Sequence, residues 1–227
     1  MEDDYGFVVP QMQWYDESRN PYVQGYEAPV NMVEQESAPM PENHELYPDY
    51  DFSDLKTTNN RPVNSDYLNY IYKKLRKSGF DDKHASVLLG QIAEESGGDP
   101  FAVDSTGTYN GLLQWGPDRY QINTFYDDDP YKEINRQLKY LLSTIDNLDD
   151  GKSWTHGGSG SGYNSRKDAY ADWVQDDDME RMNRGLSFGH VRPTGKAASA
   201  RNRFSVGSQI YDTVTTATVP VNDYTLD

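Results

Sequence analysis

One glutamate, Glu95, is the first residue of this sequence that could do chemistry. The positions before it carry apolar residues at the spacing of one buried helical stripe, namely Ala85, Leu88, Leu89 and Ile92. Because Glu95 follows Ile92 by three positions, it projects from the same apolar face, whereas Glu94 is turned about 100° away and should face solvent. The pattern therefore places one carboxyl, at the end of a helix, against an apolar surface.

A carboxyl in that position is suited to donating a proton. Partial removal from water disfavours the charged form, and the C-terminal end of a helix carries partial negative charge, so both effects favour the neutral acid. A carboxylic acid that stays protonated near neutral pH can give its proton to a leaving group, which glycoside cleavage requires. The alternative is that Glu95 is a half-exposed residue in a fraying last turn.

Two segments around this glutamate resemble a known family. Residues 90–100 read Gly-Gln-Ile-Ala-Glu-Glu-Ser-Gly-Gly-Asp-Pro, and residues 111–115 read Gly-Leu-Leu-Gln-Trp, with Arg119 shortly after. In this order they resemble the phage tail lysozyme family, a branch of the lysozyme-like superfamily, and they are similar to soluble lytic transglycosylases and goose-type lysozymes. In those families the glutamate directly before the serine is the catalytic acid. The resemblance implies this role for Glu95 and not for Glu94.

The same resemblance implies which residues bind the substrate. Ser96 belongs to the Glu-Ser pair, and the second segment lines the sugar cleft in that superfamily, so the implied cleft residues are Gly111, Leu112, Gln114 and Trp115. The resemblance extends over about residues 64–211 and departs from the family pattern at Val191, where a glutamate usually precedes the Arg-Pro pair.

Two aromatic side chains and one cation near the cleft segment could also contact sugars. Tyr109 and Trp115 offer flat faces for sugar rings, although Trp115 could instead fill the core beneath the cleft. Arg119 could position an acidic group or an N-acetyl oxygen, or it could be structural.

A second carboxylate, where lysozyme-like folds have one, comes from the region between the two segments. Asp104 is the first candidate, with Asp99 and Asp118 behind it. A retaining glycosidase needs about 5 Å between its two carboxyls and an inverting one about 6.5 to 9.5 Å, which sequence cannot supply. The alternative is that Asp104 caps the turn through its side chain.

Helices must position these residues. The stripe Tyr67, Leu68, Ile71 and Leu75 predicts a first helix that Gly79 stops, and Asp81 or Asp82 should cap the helix that ends at Glu95. The strongest core helix starts at Asp129-Pro130 and carries no residue that suggests chemistry. Ser165 and Asp168 can form a capping box, and a terminal helix should contain Ala197, Ala200, Phe204, Ile210 and Tyr211.

The predicted fold is mainly α-helical, a lysozyme-like α+β domain with a small β-hairpin or turn element. We assign the catalytic domain to residues 61–212, a disordered or extended acidic arm to residues 1–60, and a C-terminal tail to residues 213–227.

The acidic arm carries most of the charge. Of the formal net charge of −16, residues 1–60 contribute 13 acidic residues against Arg19 and Lys56. This balance excludes nucleic-acid binding by counterion release. Aromatic residues spaced along the arm suit docking into pockets of a partner, so residues 1–60 are predicted to bind other virion (tail) proteins. The alternative is a linker or propeptide with no fixed partner.

Composition also indicates which cofactors and which cellular location to expect. The chain has no cysteine, and its four histidines lack metal-ligand spacing, so we expect neither a metal nor a cofactor. No apolar run approaches the length of a membrane span, and the start Met-Glu-Asp-Asp is unlike a signal peptide. We therefore expect a tail-associated protein that a virion delivers to the host periplasm or cell wall.

The resemblance implies cleavage of the β-1,4 bond between N-acetylmuramic acid and N-acetylglucosamine in bacterial peptidoglycan, so that a phage tail can cross the wall. Two alternatives stay open: a lytic transglycosylase acting on the same bond, and a non-catalytic virion structural or wall-binding protein with a lysozyme-like fold.

Overall fold

The computed structural model describes residues 47–58, 60–116, 128–145, 148, 154–155, 161–174, 177–191 and 196–217. The chain divides between Pro48 and Asp49. The described part of the second unit contains six α-helices: α1 Ser65–Lys77, α2 Asp82–Ser96, α3 Pro130–Ile145, α4 Arg166–Trp173, α5 Met179–Gly185 and α6 Lys196–Thr216. A π-helical segment, Leu186–Val191, connects α5 towards α6. The mainly helical fold class is confirmed.

Side chains cap the starts of α1 and α2, and the predicted cap of α2 at Asp81 is confirmed. The Asn64 side chain accepts a hydrogen bond from the Tyr67 amide at the start of α1, and the Asp81 side chain accepts one from the His84 amide at the start of α2. Gly97 ends α2 in the left-handed region with φ of 69°, where glycine has no Cβ penalty. The capping box of Ser165 and Asp168 at α4 is also confirmed.

Helix α2 forms the centre of the domain. All of its residues from His84 to Ala93 are buried, and it packs along α6 with further contacts to α1 and α5. Such a helix is covered on every side, so its orientation is fixed by several neighbours at once. The last turn, which carries Glu95, is therefore held on a rigid support.

The predicted small β element is a loop at residues 103–115. Two isolated antiparallel bridges join Val103 to Asn110 and Asn110 to Trp115, and the described residues here form no longer strand. This agrees with the predicted small β-hairpin or turn element.

Residues 49–58, which we call the N-terminal strap, pack on the helices. Phe52 is 1% exposed and its amide donates to Ser65 Oγ at 2.8 Å. Farther along, the Lys56 amide donates to Gln209 Oε1 of α6 at 3.0 Å. The packed domain thus starts N-terminal to the boundary at residue 61 that composition predicts, because these apolar contacts are not visible in charge or proline content.

The other predicted boundaries fall as follows. Helix α6 continues to Thr216, so the predicted domain end at residue 212 lies inside it. Residues 1–46 of the arm, residues 218–227 of the tail, Asp118 and Arg119 lie outside the described residues. No helix in the described part of the chain combines the length and apolar character that crossing a membrane requires.

Candidate active site

Glu95 lies in the last turn of α2, on the face that the apolar stripe predicts. Leu88 and Ile92 of the same stripe are completely buried, and the Glu95 side chain is 17% exposed. The carboxyl is therefore largely, but not fully, removed from water. Such a position fits a group that must reach a substrate from a mainly apolar wall.

Arg203 of α6 contacts this carboxyl. Its Nη2 donates a hydrogen bond to Glu95 Oε1, and its Nη1 donates to Ser199 Oγ one turn earlier on α6. The Arg203 side chain is only 6% exposed. This ion pair was not predicted from the sequence. The available signal was the position of Arg203 on the apolar stripe of α6, three residues after Ala200 and seven before Ile210, both buried.

The ion pair depends on a close approach of α2 and α6. A Cβ added to Gly90 would lie 2.7 Å from the Gly207 nitrogen and 2.9 Å from the Arg203 carbonyl oxygen, closer than real side chains come. Glycine at these two positions lets the helix backbones nearly touch. The backbone of Arg203 is thereby held beside α2, within reach of Glu95.

Glu94 differs from the prediction that it faces solvent. Its Oε1 accepts hydrogen bonds from the Thr58 amide at 2.8 Å and from the Thr58 hydroxyl at 3.0 Å. Glu94 is half-buried because the N-terminal strap, which the sequence analysis placed in the arm, crosses the end of α2. The two adjacent glutamates thus have different partners, one on α6 and one on the strap.

The Asp104 side chain accepts hydrogen bonds from its own loop. Its Oδ2 accepts from the Thr106 hydroxyl at 2.6 Å, and its Oδ1 accepts from the amides of Thr108 and Tyr109 at 2.8 and 2.9 Å. The Thr106 hydroxyl, followed by the backbone amides, lowers the pKa of Asp104 to about 2. These contacts support the turn-capping alternative, and its role as a second catalytic carboxylate stays a prediction.

Two of the implied cleft residues, Ser96 and Gln114, form hydrogen bonds with the backbone of turns. Ser96 is buried, and its hydroxyl donates to the Ile92 carbonyl at 3.1 Å and accepts from the Gly98 amide at 3.2 Å. Gln114 adopts a positive φ of 47°, and its side-chain amide donates to the carbonyls of Ala102 and Gly111. Both side chains therefore fix the turns on either side of the loop.

The two aromatic candidates differ in their exposure to solvent. Trp115 is 2% exposed, and its ring meets Tyr140 of α3 edge to face at 5.4 Å, which supports the core alternative. Leu112 is also completely buried, and Gly111 is buried beside it. Tyr109 is 49% exposed and presents its ring to solvent, so its predicted contact with substrate stays a prediction.

Helix α3 positions the loop, although the sequence analysis saw no role for it beyond the core. Gln137 Nε2 donates to the Pro100 carbonyl at 2.8 Å, and the Leu112 amide donates to Gln137 Oε1 at 2.8 Å. Glu133 Oε1 accepts a further hydrogen bond from Gln137 Nε2 at 2.8 Å and so fixes its orientation. One buried amide thus ties together both ends of the loop. The missed signal was a polar residue on the apolar stripe, between Ile134 and Leu141.

A groove opens beside the end of α2. It has a volume of about 920 Å³ and lies between the start of α1 and residues 99–103, and Ser96 and Gly97 line one end of it. Glu95 directly precedes these two residues. The groove therefore reaches the turn that directly follows the candidate acid, and the Glu95 side chain itself is directed towards Arg203.

Metal ligation has no support in the described part of the chain, where no group of three or more histidine, aspartate or glutamate side chains is arranged to hold an ion. The expectations of no metal and no cofactor stay predictions.

Comparison with known proteins adds one match. A family model described as phage tail lysozyme matches residues 66–214, which is more than half of the chain. A search of curated proteins gave no match.

Proposed function

Because this chain belongs to the phage tail lysozyme family, whose function is degradation of peptidoglycan, we propose that it is a virion-associated muramidase. Its substrate would be the β-1,4 bond between N-acetylmuramic acid and N-acetylglucosamine in the host cell wall. The observation that carries this proposal is the position of Glu95, a partly exposed carboxyl on a rigid helix end directly before the turn that lines the groove.

In the proposed reaction Glu95 protonates the glycosidic oxygen. The bond between this oxygen and the anomeric carbon then breaks, and the leaving sugar departs with a hydroxyl group. A water molecule attacks the anomeric carbon and returns a proton to the Glu95 carboxylate, which restores the acid. If the 6-hydroxyl of the muramic acid attacks instead, the product is an anhydro sugar, and the enzyme is a lytic transglycosylase.

Arg203 has a defined part in this scheme. The proposed first step needs one carboxyl oxygen of Glu95 to carry the proton that is transferred. Arg203 contacts Oε1, so we assign the transferred proton to Oε2. After proton transfer the ion pair stabilises the carboxylate that results.

Asp104 is not required to act on water in this proposal. Its two oxygens already accept three hydrogen bonds within the loop. We propose that it maintains the loop next to the substrate, while its action as a general base is the second possibility.

The same ion pair favours the non-catalytic alternative. A partly exposed glutamate paired with a buried arginine can be purely structural, and Glu95 would then serve only to join α2 to α6. In that case the domain would be a virion structural or wall-binding module.

Digestion of purified peptidoglycan by the full chain separates these possibilities. Glu95→Gln is compared with the wild type, and Glu94→Gln is the matched control because it changes the adjacent glutamate. Mass spectrometry of the fragments should show reducing muramic acid ends that are lost only in Glu95→Gln. Anhydro ends would indicate a transglycosylase. Intact wall with every version of the protein, together with retained binding to it, would contradict the enzymatic proposal.

We further propose that residues 1–60 attach the protein to other tail proteins, as their acidic, aromatic composition suggests. The packing of the strap supports placing the attachment N-terminal to Asp49, because Phe52 and the Lys56 amide already contact the helices.

A further inference from the structure

A buried polar network lies in the interior of the domain, and the proposed reaction makes no direct use of it. Its members are Gln91 of α2, Asn183 of α5 and Ser187 of the π-helical segment, and each is at most 2% exposed. Polar side chains stay in a core when they are hydrogen-bonded, because burying an unpaired amide or hydroxyl is costly. The partners of these three side chains therefore show what the network joins.

Hydrogen bonds of the network connect α2 with α6. Gln91 Nε2 donates to Asn183 Oδ1 at 2.7 Å and to Ser187 Oγ at 2.9 Å. The Ser187 hydroxyl donates back to Gln91 Oε1 at 3.3 Å. Asn183 Nδ2 in turn donates to the Ala200 carbonyl of α6 at 2.8 Å. Gln91 is thus linked through Asn183 to the backbone of α6.

The network lies about one helical turn from the candidate acid on both helices. Gln91 precedes Glu95 by four residues on α2. Ala200 precedes Arg203 by three residues on α6. Residues at these spacings lie on the same side of a helix. The network and the ion pair of Arg203 with Glu95 are therefore adjacent links between the same two helices.

Arg203 depends on the segment of α6 that the network holds. Its Nη1 donates to Ser199 Oγ, and Ser199 directly precedes Ala200, whose carbonyl accepts from Asn183. Moving α6 along α2 by one residue is a shift of about 1.5 Å, which exceeds the range of about 2.7–3.2 Å over which N–H to oxygen hydrogen bonds form. Fixing the Ala200 carbonyl thus also fixes where the guanidinium meets Glu95.

The network adds direction to the close packing of the two helices. The contact at Gly90 limits the distance between α2 and α6, but van der Waals contact has no preferred direction. A buried hydrogen bond is directional and can select one register among several packings. The bond from Asn183 to the Ala200 carbonyl therefore selects the position of α6 along α2.

We propose that the buried polar network of Gln91, Asn183 and Ser187 positions the ion pair for the proposed reaction. It fixes the register of α6 on α2 and thereby holds Arg203 against Glu95. The three residues are positioning residues, because they act through Arg203. The inference rests on the proposed function, since it takes Glu95 to be the acid. A misplacement of about 1 Å lowers turnover, so loss of the network should affect kcat.

Apolar replacement separates positioning from stability. The triple variant Gln91→Met, Asn183→Leu and Ser187→Ala removes all polar members, and removing every partner of a buried hydrogen bond together can be nearly neutral for stability. In the full chain acting on solubilised peptidoglycan, kcat should fall about tenfold and KM should stay within about twofold. Ser86→Ala is the matched control and should change neither value, because Ser86 is a completely buried residue of α2 whose hydroxyl has no hydrogen-bond partner among the described residues.

A spectroscopic measurement follows the ion pair itself. The ¹⁵N NMR signals of the Arg203 guanidinium report its contact with Glu95, and Glu95→Gln supplies the reference for loss of the charged partner. In the triple variant these signals should move most of the way towards that reference, and Ser86→Ala should leave them in place. A merely structural network would lower the melting temperature without moving the Arg203 signals of the folded protein.

A single variant keeps the test decisive if the triple variant does not fold. Ser187→Ala removes one hydroxyl from the network, as Ser86→Ala removes one outside it. We expect the Arg203 signals of Ser187→Ala to move in the same direction by a smaller amount, and kcat to fall about threefold.

The outcomes for the network and for the enzyme are distinguishable. Unchanged Arg203 signals in a folded network variant would overturn the inference. Shifted signals with an unchanged kcat would overturn it as well, because the network would then position a pair that the reaction does not need. Failure of the wild type to digest the wall would contradict the muramidase, and the guanidinium signals, which do not require activity, would then decide by themselves whether the network positions Arg203.

Discussion

Arg203 in α6 donates a hydrogen bond to Glu95 at the end of α2, across 108 positions of sequence. The guanidinium is nearly buried and the carboxyl is partly exposed, so the pair joins the candidate acid to the last helix of the domain. Any change that moves α6 along or away from α2 should therefore also affect Glu95.

Arg203→Met should lower the free energy of unfolding by about 2 kcal/mol. This is less than the roughly 3–5 kcal/mol typical of breaking a fully buried ion pair. The cost is smaller here because Glu95 retains some contact with water. The measurement is urea unfolding of Arg203→Met, Glu95→Gln and the double variant. We expect the double variant to be clearly more stable than the sum of the single effects predicts. Additive effects would show that the contact contributes nothing. Arg203→Lys, which keeps the charge, is the control.

Gly90→Ala should destabilise the protein by about 2 kcal/mol or more, although alanine is the better helix former, because its Cβ would meet the α6 backbone. Gly207→Ala is the matched control, since its nearest contact is the Ser86 carbonyl at 3.3 Å. Thermal unfolding should rank Gly90→Ala well below Gly207→Ala. Equal melting temperatures would contradict the close approach of the two helices.

The Asp104 loop should respond to pH at the acidic end. Because folding lowers the pKa of Asp104 from 3.8 to about 2, its contribution to stability is present above pH 3.8 and disappears as pH falls towards 2. The amide NMR signals of Thr108 and Tyr109, which donate to this carboxylate, should titrate with a midpoint near this lowered pKa. Asp104→Asn should abolish that titration. A midpoint at the ordinary value would mean that the loop contacts are not formed in solution.

The wall-digestion assay also tests the loop role of Asp104. We expect Asp104→Asn to retain a substantial part of the wild-type rate, because the amide oxygen can still accept hydrogen bonds from the loop. A loss as large as that of Glu95→Gln would identify Asp104 as a second catalytic carboxylate.

Gln137→Met should cost about 2–3 kcal/mol of stability and reduce activity, because the buried Pro100 carbonyl and Leu112 amide lose their partner. The same side chain ties both ends of the loop to α3, so the loop next to the groove should become mobile. Chemical denaturation and wall digestion measure the two effects. Lys139→Met on the exposed face of α3 is the control and should change neither. Unaltered stability of Gln137→Met would exclude this anchoring role.

Two N-terminal deletions distinguish a role of the arm in attachment to particles from a role in the stability of the domain. Removal of residues 1–48 should leave the melting temperature unchanged and abolish incorporation into particles. Removal of residues 1–60 should also destabilise the domain by about 3 kcal/mol or more, because it takes away buried Phe52 and the Thr58 contact with Glu94. Normal incorporation of the shorter deletion would refute the proposed attachment.

The sequence by itself determined α1 to α4, α6 and the helix position of the candidate acid, but not α5 or the π-helical segment that follows it. The cap at Asp81, the stop at Gly97 and the capping box at Ser165 all act within four residues of their partners. Helical periodicity likewise placed Glu95 on the apolar face of α2. Such signals are readable because they depend on the local chain alone. The short segments at residues 90–100 and 111–115 also carry the resemblance to the phage tail lysozyme family. The family match confirms it.

Only the tertiary structure decided which partners these residues meet. Arg203 beside Glu95, Gln137 between two loop ends and Thr58 on Glu94 are contacts between distant parts of the chain. The orientation of Trp115 towards the core and of Tyr109 towards solvent likewise depends on what packs against the loop. Composition and periodicity specify that a side chain is apolar or charged. They do not specify its neighbour, because the neighbour is fixed by how the helices pack, and the close approach of α2 to α6 at Gly90 is part of that packing.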